Sequence, residues 1–157
     1  MALTYGTSTA ITITAGGLTN ATSRSSAAVT TGVTNNVAQI LLTTNILSTS
    51  SAPTGAKTVL IYGYMSEDGT NYLGNSGTTD NVDGTDKGVT LGVPSNLTLL
   101  GSIRFNQGAN AVTLRNVTEI TGPFGCIPPK WGVVLYNGAG VDFGATVTLS
   151  YREAYYT

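Results

Sequence analysis

The sequence has no histidine and only one cysteine, and this scarcity limits the catalytic and metal-binding roles that the protein could have. Histidine is the commonest general acid–base residue and the commonest metal ligand. Cys126 is alone, so it cannot form a disulfide within the chain, and as a nucleophile it would lack a histidine partner. We expect Cys126 to be a small buried hydrophobic residue, because residues 124–128 around it are apolar.

Charge is also scarce. Charged residues make up 10% of the chain, whereas an average soluble domain has about 25%. Residues 1–56 contain one charged side chain, Arg24, and the formal net charge is −1. The scattered Lys and Arg residues give no concentrated cationic face, so we expect no nucleic-acid partner. A protein alone in solution normally keeps charge on its surface. The low charge therefore favours a protein that packs against neighbouring subunits; the alternative is a monomer whose surface is polar but uncharged.

Long apolar runs are missing as well. No run approaches the roughly 18 residues of a membrane-spanning helix. The first six residues, MALTYG, have neither the basic nor the apolar region of a signal peptide. We therefore expect no membrane partner, and a protein made in a cytoplasm that stays there or is packaged into something assembled there.

Strand-forming residues dominate what is present. Thr, Val, Ile and Tyr fill the ordered stretches, Gly and Asn punctuate them, and no stretch keeps a helical apolar period. Strands are predicted at 10–14, 37–44, 58–65, 97–105, 111–120, 132–136 and 146–156. Short strands separated by turns predict one all-β domain over residues 1–157. The expected fold is a single antiparallel β-sandwich of jelly-roll or Greek-key topology.

Two predicted strands have informative alternation. In 58–65, Val59 and Ile61 point one way while Tyr62 and Tyr64 point the other, which predicts a central strand with a second layer packed on its outer side. In 111–120 the apolar parity changes before Val117, which predicts a bulge near residues 115–116. The Gly-, Asn- and Asp-rich segment 74–92 is predicted to be an outward-facing loop.

Acidic residues offer the only chemistry to weigh. Asp80, Asp83 and Asp86 lie within seven residues and suggest a weak cation site, although their spacing is not that of an EF-hand. A hydrolase would need two carboxylates across a cleft, and the sequence cannot say whether Glu119 and Asp142 meet. Nucleophile-elbow and phosphate-binding glycine motifs are absent from the sequence. We therefore expect no enzymatic activity, no catalytic residue, no cofactor and no metal.

Aromatic residues have two possible roles. They could form a platform on which sugar rings stack, but packing in a core or at an interface is the commoner use. The residues concerned are Tyr62, Tyr64, Tyr72, Trp131, Tyr136, Tyr151, Tyr155 and Tyr156.

Several short motifs follow one another in a recurring order: YGTSTAITIT (5–14), SRSSAA (23–28), VLIYGY (59–64), DGTNY (68–72), VPSNLTLLG (93–101), GPF (122–124) and PPKWGVV (128–134). This layout, nearly end to end, resembles a widespread group of small virion-associated proteins of tailed bacteriophages, including phages of aquatic bacteria. The resemblance implies a β-sandwich on the outer surface of the phage head, acting as a decoration or cement protein on the lattice of the major capsid protein. It supplies no active site.

A cement protein would bind the assembled shell but not the free capsid subunits, and this selective binding would stabilise the shell. Binding at symmetric junctions implies a homo-oligomer, a trimer or a dimer. The alternative is a tail or host-attachment module that binds surface glycan.

Contacts with neighbouring subunits are predicted for seven residues: Leu3, Tyr5, Ile11, Ile13, Tyr62, Tyr64 and Trp131. Residues 1–18 form an uncharged segment with strand propensity. They are predicted to be either an extended N-terminal arm that lends a strand to a neighbour or the first strand of the protein's own sandwich.

Overall fold

The computed structural model describes residues 2–32, 36–49, 51–54, 56–105 and 111–157. Within these ranges the chain forms eleven strands and one short helix. They are β1 (Leu3–Tyr5), β2 (Thr9–Ile11), β3 (Ser23–Ser25), β4 (Val29–Thr30), β5 (Val37–Ser48), β6 (Thr58–Ser66), β7 (Lys87–Val89), β8 (Thr98–Arg104), β9 (Thr113–Glu119), α1 (Thr121–Phe124), β10 (Lys130–Gly138) and β11 (Phe143–Tyr156).

The strands form two antiparallel sheets. In sheet A, β1 and β2 lie end to end along β11, followed by β5 and β9. The strand order in sheet B is β7, β3, β10, β6, β8. The short strand β4 lies end to end with β3, and both pair with β10. If β1 with β2, and β3 with β4, are each counted as one interrupted strand and β7 is set aside, consecutive strands alternate between the sheets except for β6 and β8, which are neighbours in sheet B. This is a jelly-roll arrangement, so the prediction of an all-β antiparallel sandwich is confirmed.

The core lies between the inner faces of the two sheets. Along β5, buried and half-buried residues alternate from Ile40 to Ser48, as they should in a strand with one face in the core. Facing them, Val133 and Leu135 of β10 are completely buried, as is Trp131, whose ring meets Tyr151 edge to face at 5.4 Å. Fully burying an aliphatic side chain contributes about 1.5–3 kcal/mol, and this core holds the sheets together.

The outer face of sheet B carries a second, smaller apolar cluster. The predicted two-faced character of β6 is confirmed, because Ile61 packs in the main core while Tyr64 lies in this outer cluster. The covering layer is the chain's own segment 67–97, which contributes Tyr72 and Val82. The rings of Tyr64 and Tyr72 meet at 5.3 Å in a T-shaped pair. Segment 74–92 is therefore not an outward-facing loop, since it folds back onto the sheet and supplies β7.

Two local predictions were wrong. The pairing of β9 with β5 runs without interruption, so no bulge lies near Arg115, and Val117 simply points outwards with 53% of its surface exposed. Cys126 is exposed rather than buried. The reason is that Phe124 turns into the core at the end of α1, and left-handed Gly125 then directs the chain away from it.

The N-terminal residues belong to their own sandwich. β1 and β2 both pair with β11, so the described part of residues 1–18 shows the first-strand alternative rather than an arm reaching to a neighbour; Met1 lies outside the described residues. Ala2 and Thr157 exchange two backbone hydrogen bonds, with N···O distances of 3.1 and 3.0 Å.

Candidate functional site

A groove lies on the half of sheet B that segment 67–97 leaves uncovered. Its floor comes from three neighbouring strands, with Tyr62 of β6 paired to Leu99 of β8 and Tyr136 of β10 paired to Leu60 of β6. Residues 88–95 form one wall, and the groove encloses about 920 Å³. That volume lies within the usual range for small-molecule sites, about 300–1,000 Å³.

A buried carboxylate holds this wall in place. Asp80 is completely buried and accepts hydrogen bonds from the backbone N–H groups of Gly92 (3.1 Å) and Asn96 (2.9 Å) and from the hydroxyl of Ser95 (2.8 Å). Its own N–H donates to the carbonyl of Thr90 at 2.6 Å. A buried carboxylate is tolerated only when its oxygens are satisfied, and here the donors are the backbone and hydroxyl groups of the wall itself.

The groove is neutral and carries hydroxyl groups. None of the residues that line it is Asp, Glu, Lys or Arg. Burial, with smaller contributions from Asp80 and Tyr136, raises the pKa of the Tyr62 phenol, which stays protonated at neutral pH. Among the described residues, the hydroxyl of Tyr64 donates to the Ser26 carbonyl at 2.6 Å, whereas no hydrogen bond is found for the hydroxyls of Tyr62 or Tyr136.

The three carboxylates of the predicted cation site do not converge. Asp83 pairs with Lys87 at 2.6 Å, and the hydrogen bond from Lys87 lowers the pKa of Asp83 to about 2. Asp86 pairs with Arg24 at 2.6 Å, while Asp80 faces the groove wall. In the part of the chain that the structure describes, no group of three Asp, Glu, Cys or His side chains is placed to hold a metal ion.

The possible glycosidase pair is also separated. Glu119 lies opposite Leu41 on β5, whereas Phe143, next to Asp142, lies opposite Ser48 at the other end of the same strand. Seven residues of strand separate these positions by about 23 Å. Two carboxylates acting on one glycosidic bond are at most about 10 Å apart, so Glu119 and Asp142 cannot form such a pair.

The outer face of sheet A has no covering segment among the described residues. At one corner, Leu3 lies opposite Tyr156, and Tyr5 lies opposite Ala154 and reaches the Gln39 side chain with its hydroxyl at 3.3 Å. Leu3, Tyr5 and Tyr156 are 42%, 47% and 53% exposed. We call this patch the sheet A corner. The remaining outward positions on β5, β9 and β11 are mixed: Thr, Ser and Asn alternate with apolar Leu41, Leu47 and Val117, and three positions carry a formal charge, Arg115, Glu119 and Arg152.

The predicted contact residues therefore divide into two groups. Leu3 and Tyr5 are on the surface, and Ile13 and Tyr62 are half-buried. The other three, Ile11, Tyr64 and Trp131, are buried in the protein's own cores and are unavailable to a partner in this conformation. Sequence reasoning missed the pairing of Tyr136 with Leu60 and the exposure of Leu99, because both depend on which strands become neighbours.

No family model matches the chain, and neither the curated proteins nor the solved structures include a significant match. Among the described residues, no helix is both long enough and apolar enough to cross a membrane.

Proposed function

We propose that the protein is a structural component of a tailed-bacteriophage particle, a decoration or cement protein on the outer surface of the head. The observation that carries the proposal is the sheet A corner, where Leu3, Tyr5 and Tyr156 are exposed together at the edge of the outer face of sheet A. Exposed aromatic and aliphatic clusters mark surfaces that bind other proteins. The sequence resemblance supports the choice of partner, the lattice of the major capsid protein.

The face around the corner suits contact with a large, regular partner. Thr43, Thr148 and Ser150 project from its central strands, and their hydroxyl groups can form hydrogen bonds with a partner without carrying charge. Removing a charged group from water is costly, whereas hydroxyl groups lose little when a partner replaces water. A partner can therefore cover these uncharged positions without matched salt bridges, whereas Arg115, Glu119 and Arg152 on the same face have to stay hydrated or be paired.

The mechanism is mass action. A protein that binds the assembled shell but not its free subunits shifts the equilibrium towards the shell, by an amount that grows with its concentration relative to Kd. Several copies around one symmetric junction would contact each other as well as the shell, which is the reason to propose a trimer or a dimer.

The decisive experiment is cryo-electron microscopy of the intact particle at side-chain resolution. The proposal requires many symmetric copies on the icosahedral shell, with the sheet A corner facing a neighbour. Density restricted to the tail would overturn the head assignment and favour the alternative, a tail or host-attachment module. Absence of the protein from the particle would overturn both.

A binding assay tests the surface itself. Leu3→Asp should weaken binding to undecorated shells by at least about tenfold, because it places a charge in the apolar contact. Leu73→Asp is the matched control, since Leu73 is 53% exposed but lies in the segment that covers sheet B. Equal binding by both variants would exclude the sheet A corner as the contact.

A further inference from the structure

The groove on sheet B is not needed for the docking described above, and its chemistry points to a ligand of its own. We infer that the groove lined by Tyr62 and Tyr136 is a binding site for a neutral saccharide. The inference concerns the isolated protein and does not depend on where the protein sits in a particle.

The first argument is charge. Phosphates, carboxylates and cationic ligands are held by side chains of opposite charge. No charged residue lines the groove, and the nearby carboxylate of Asp80 is buried and directed at the backbone of the wall. The carboxylate of Asp80 would repel an anion, and no Lys or Arg lines the groove to compensate. A neutral ligand can bind this surface without leaving an unpaired charge in the groove.

The second argument is the combination of rings and hydroxyls. A saccharide presents apolar C–H faces together with hydroxyl groups, and a tyrosine offers an aromatic face and a hydroxyl at its edge. Tyr62 and Tyr136 lie on adjacent strands of the groove floor, and Leu60 and Leu99 lie between and beside them. Their phenol groups have no hydrogen-bond partner among the described residues, so a purely apolar ligand would leave both hydroxyls unpaired.

The third argument separates a saccharide from a peptide. Peptides that bind to sheets usually add a strand at an open edge, where a row of backbone N–H and C=O groups is available. Tyr62 and Tyr136 lie on β6 and β10, which are paired with a neighbouring strand on both sides; β8 is the edge strand of sheet B and pairs only with β6. A ligand lying over Tyr62 and Tyr136 is therefore recognised by side chains, which are neutral rings, hydroxyls and aliphatic groups.

The test is titration of the purified chain with neutral oligosaccharides, for example trimers of glucose, mannose and N-acetylglucosamine up to about 10 mM, a range suited to weak binding. Binding is followed by NMR, with methyl and aromatic signals reporting position. Saturable shifts at Leu60, Leu99, Tyr62 and Tyr136 for at least one sugar are expected. No shift with any sugar, or shifts that map elsewhere, would overturn the inference.

Matched variants sharpen the result. Tyr62→Phe and Tyr136→Phe remove only the hydroxyls and should each weaken binding about two- to tenfold. Tyr155→Phe, on sheet A, should leave affinity unchanged and serves as the control. Affinity unaffected by both groove variants would refute the role of the hydroxyls. Tighter binding of a proline-rich peptide than of any sugar would reassign the groove to peptides. Failure of shell binding would leave this inference standing, because the two assays use different surfaces.

Discussion

Gly132 provides the sharpest test of the layer packed on sheet B. It lies directly opposite Tyr64 in the β10–β6 pairing, and a Cβ atom at position 132 would come within 2.3 Å of the Tyr64 ring. Ordinary contact begins at 3.4 Å, so the ring would have to move by more than about 1 Å. The ring has little freedom to do so, because it packs on Tyr72 and donates a 2.6 Å hydrogen bond to the Ser26 carbonyl.

We therefore expect Gly132→Ala to destabilise the protein by about 2–4 kcal/mol. Overpacking a filled site costs about 1–3 kcal/mol, and weakening a buried hydrogen bond adds about 1 kcal/mol. The measurement is equilibrium unfolding in urea, followed by the fluorescence of Trp131, which is the only tryptophan and is completely buried.

Two further variants make the measurement decisive. Gly88→Ala is the matched control, because a Cβ atom there meets nothing within 4 Å, and the free energy of unfolding should change by less than about 1 kcal/mol. In a Tyr64→Leu background the ring is gone, so adding Gly132→Ala should cost about 2 kcal/mol less than it does alone. The packing described here would be refuted by either of two results. One is that Gly132→Ala lowers the free energy of unfolding no more than Gly88→Ala does; the other is that Gly132→Ala costs the same with Tyr64 as with Leu at position 64.

Three more outcomes follow from the structure. Asp80→Asn should lower the free energy of unfolding by about 2–4 kcal/mol in the same urea assay, because one acceptor oxygen of a buried carboxylate becomes an amide facing N–H and O–H donors; an unchanged midpoint would contradict that role. Acid should weaken the fold: the pKa of Asp83 is lowered to about 2 by Lys87, and that of Asp86 is lowered because hydrogen bonds from Arg24 and Thr14 outweigh burial. Both carboxylates therefore contribute stability above the unfolded pKa near 4, and urea midpoints should fall as pH drops from about 4 towards 2. An Arg24→Leu variant that loses as much stability over this interval as the parent would exclude the Asp86 pair. Cys126 should react with a thiol reagent in the folded protein at close to the rate of an exposed thiol, and full protection until unfolding would show that the turn after α1 is misplaced.

The alternation of side chains could be predicted from sequence, but the partner of each face could not. The two-faced pattern around Tyr62 and Tyr64 indicated a second layer, because every residue in a strand must project to one side or the other. The identity of that layer depended on long-range folding of residues 67–97, and the Gly-, Asn- and Asp-rich composition of residues 74–92 suggested an outward-facing loop. Tyr72 and Val82 are among the apolar residues of the segment that become buried on sheet B.

The acidic residues show the same limit. Asp80, Asp83 and Asp86 are neighbours in sequence, and their closeness suggested shared chemistry. Their partners are set by tertiary structure instead, since Asp86 pairs with Arg24, 62 positions earlier in the chain. Val117 illustrates a related error, because the prediction of a bulge assumed that every apolar residue in a strand must face the core, whereas single apolar residues are common on protein surfaces.

The paired ends of the chain have a practical consequence. Because Ala2 and Thr157 are hydrogen-bonded to each other, polypeptide attached before one and polypeptide attached after the other leave the sandwich from the same point. A short Gly/Ser linker would therefore join them with little loop-closure cost, and new ends opened in the turn at residues 75–78 would give a circular permutant with the same strand neighbours. The same adjacency places a cargo fused to either end at the rim where β1 meets β11, beside the sheet A corner, so such a fusion would compete with docking at that corner.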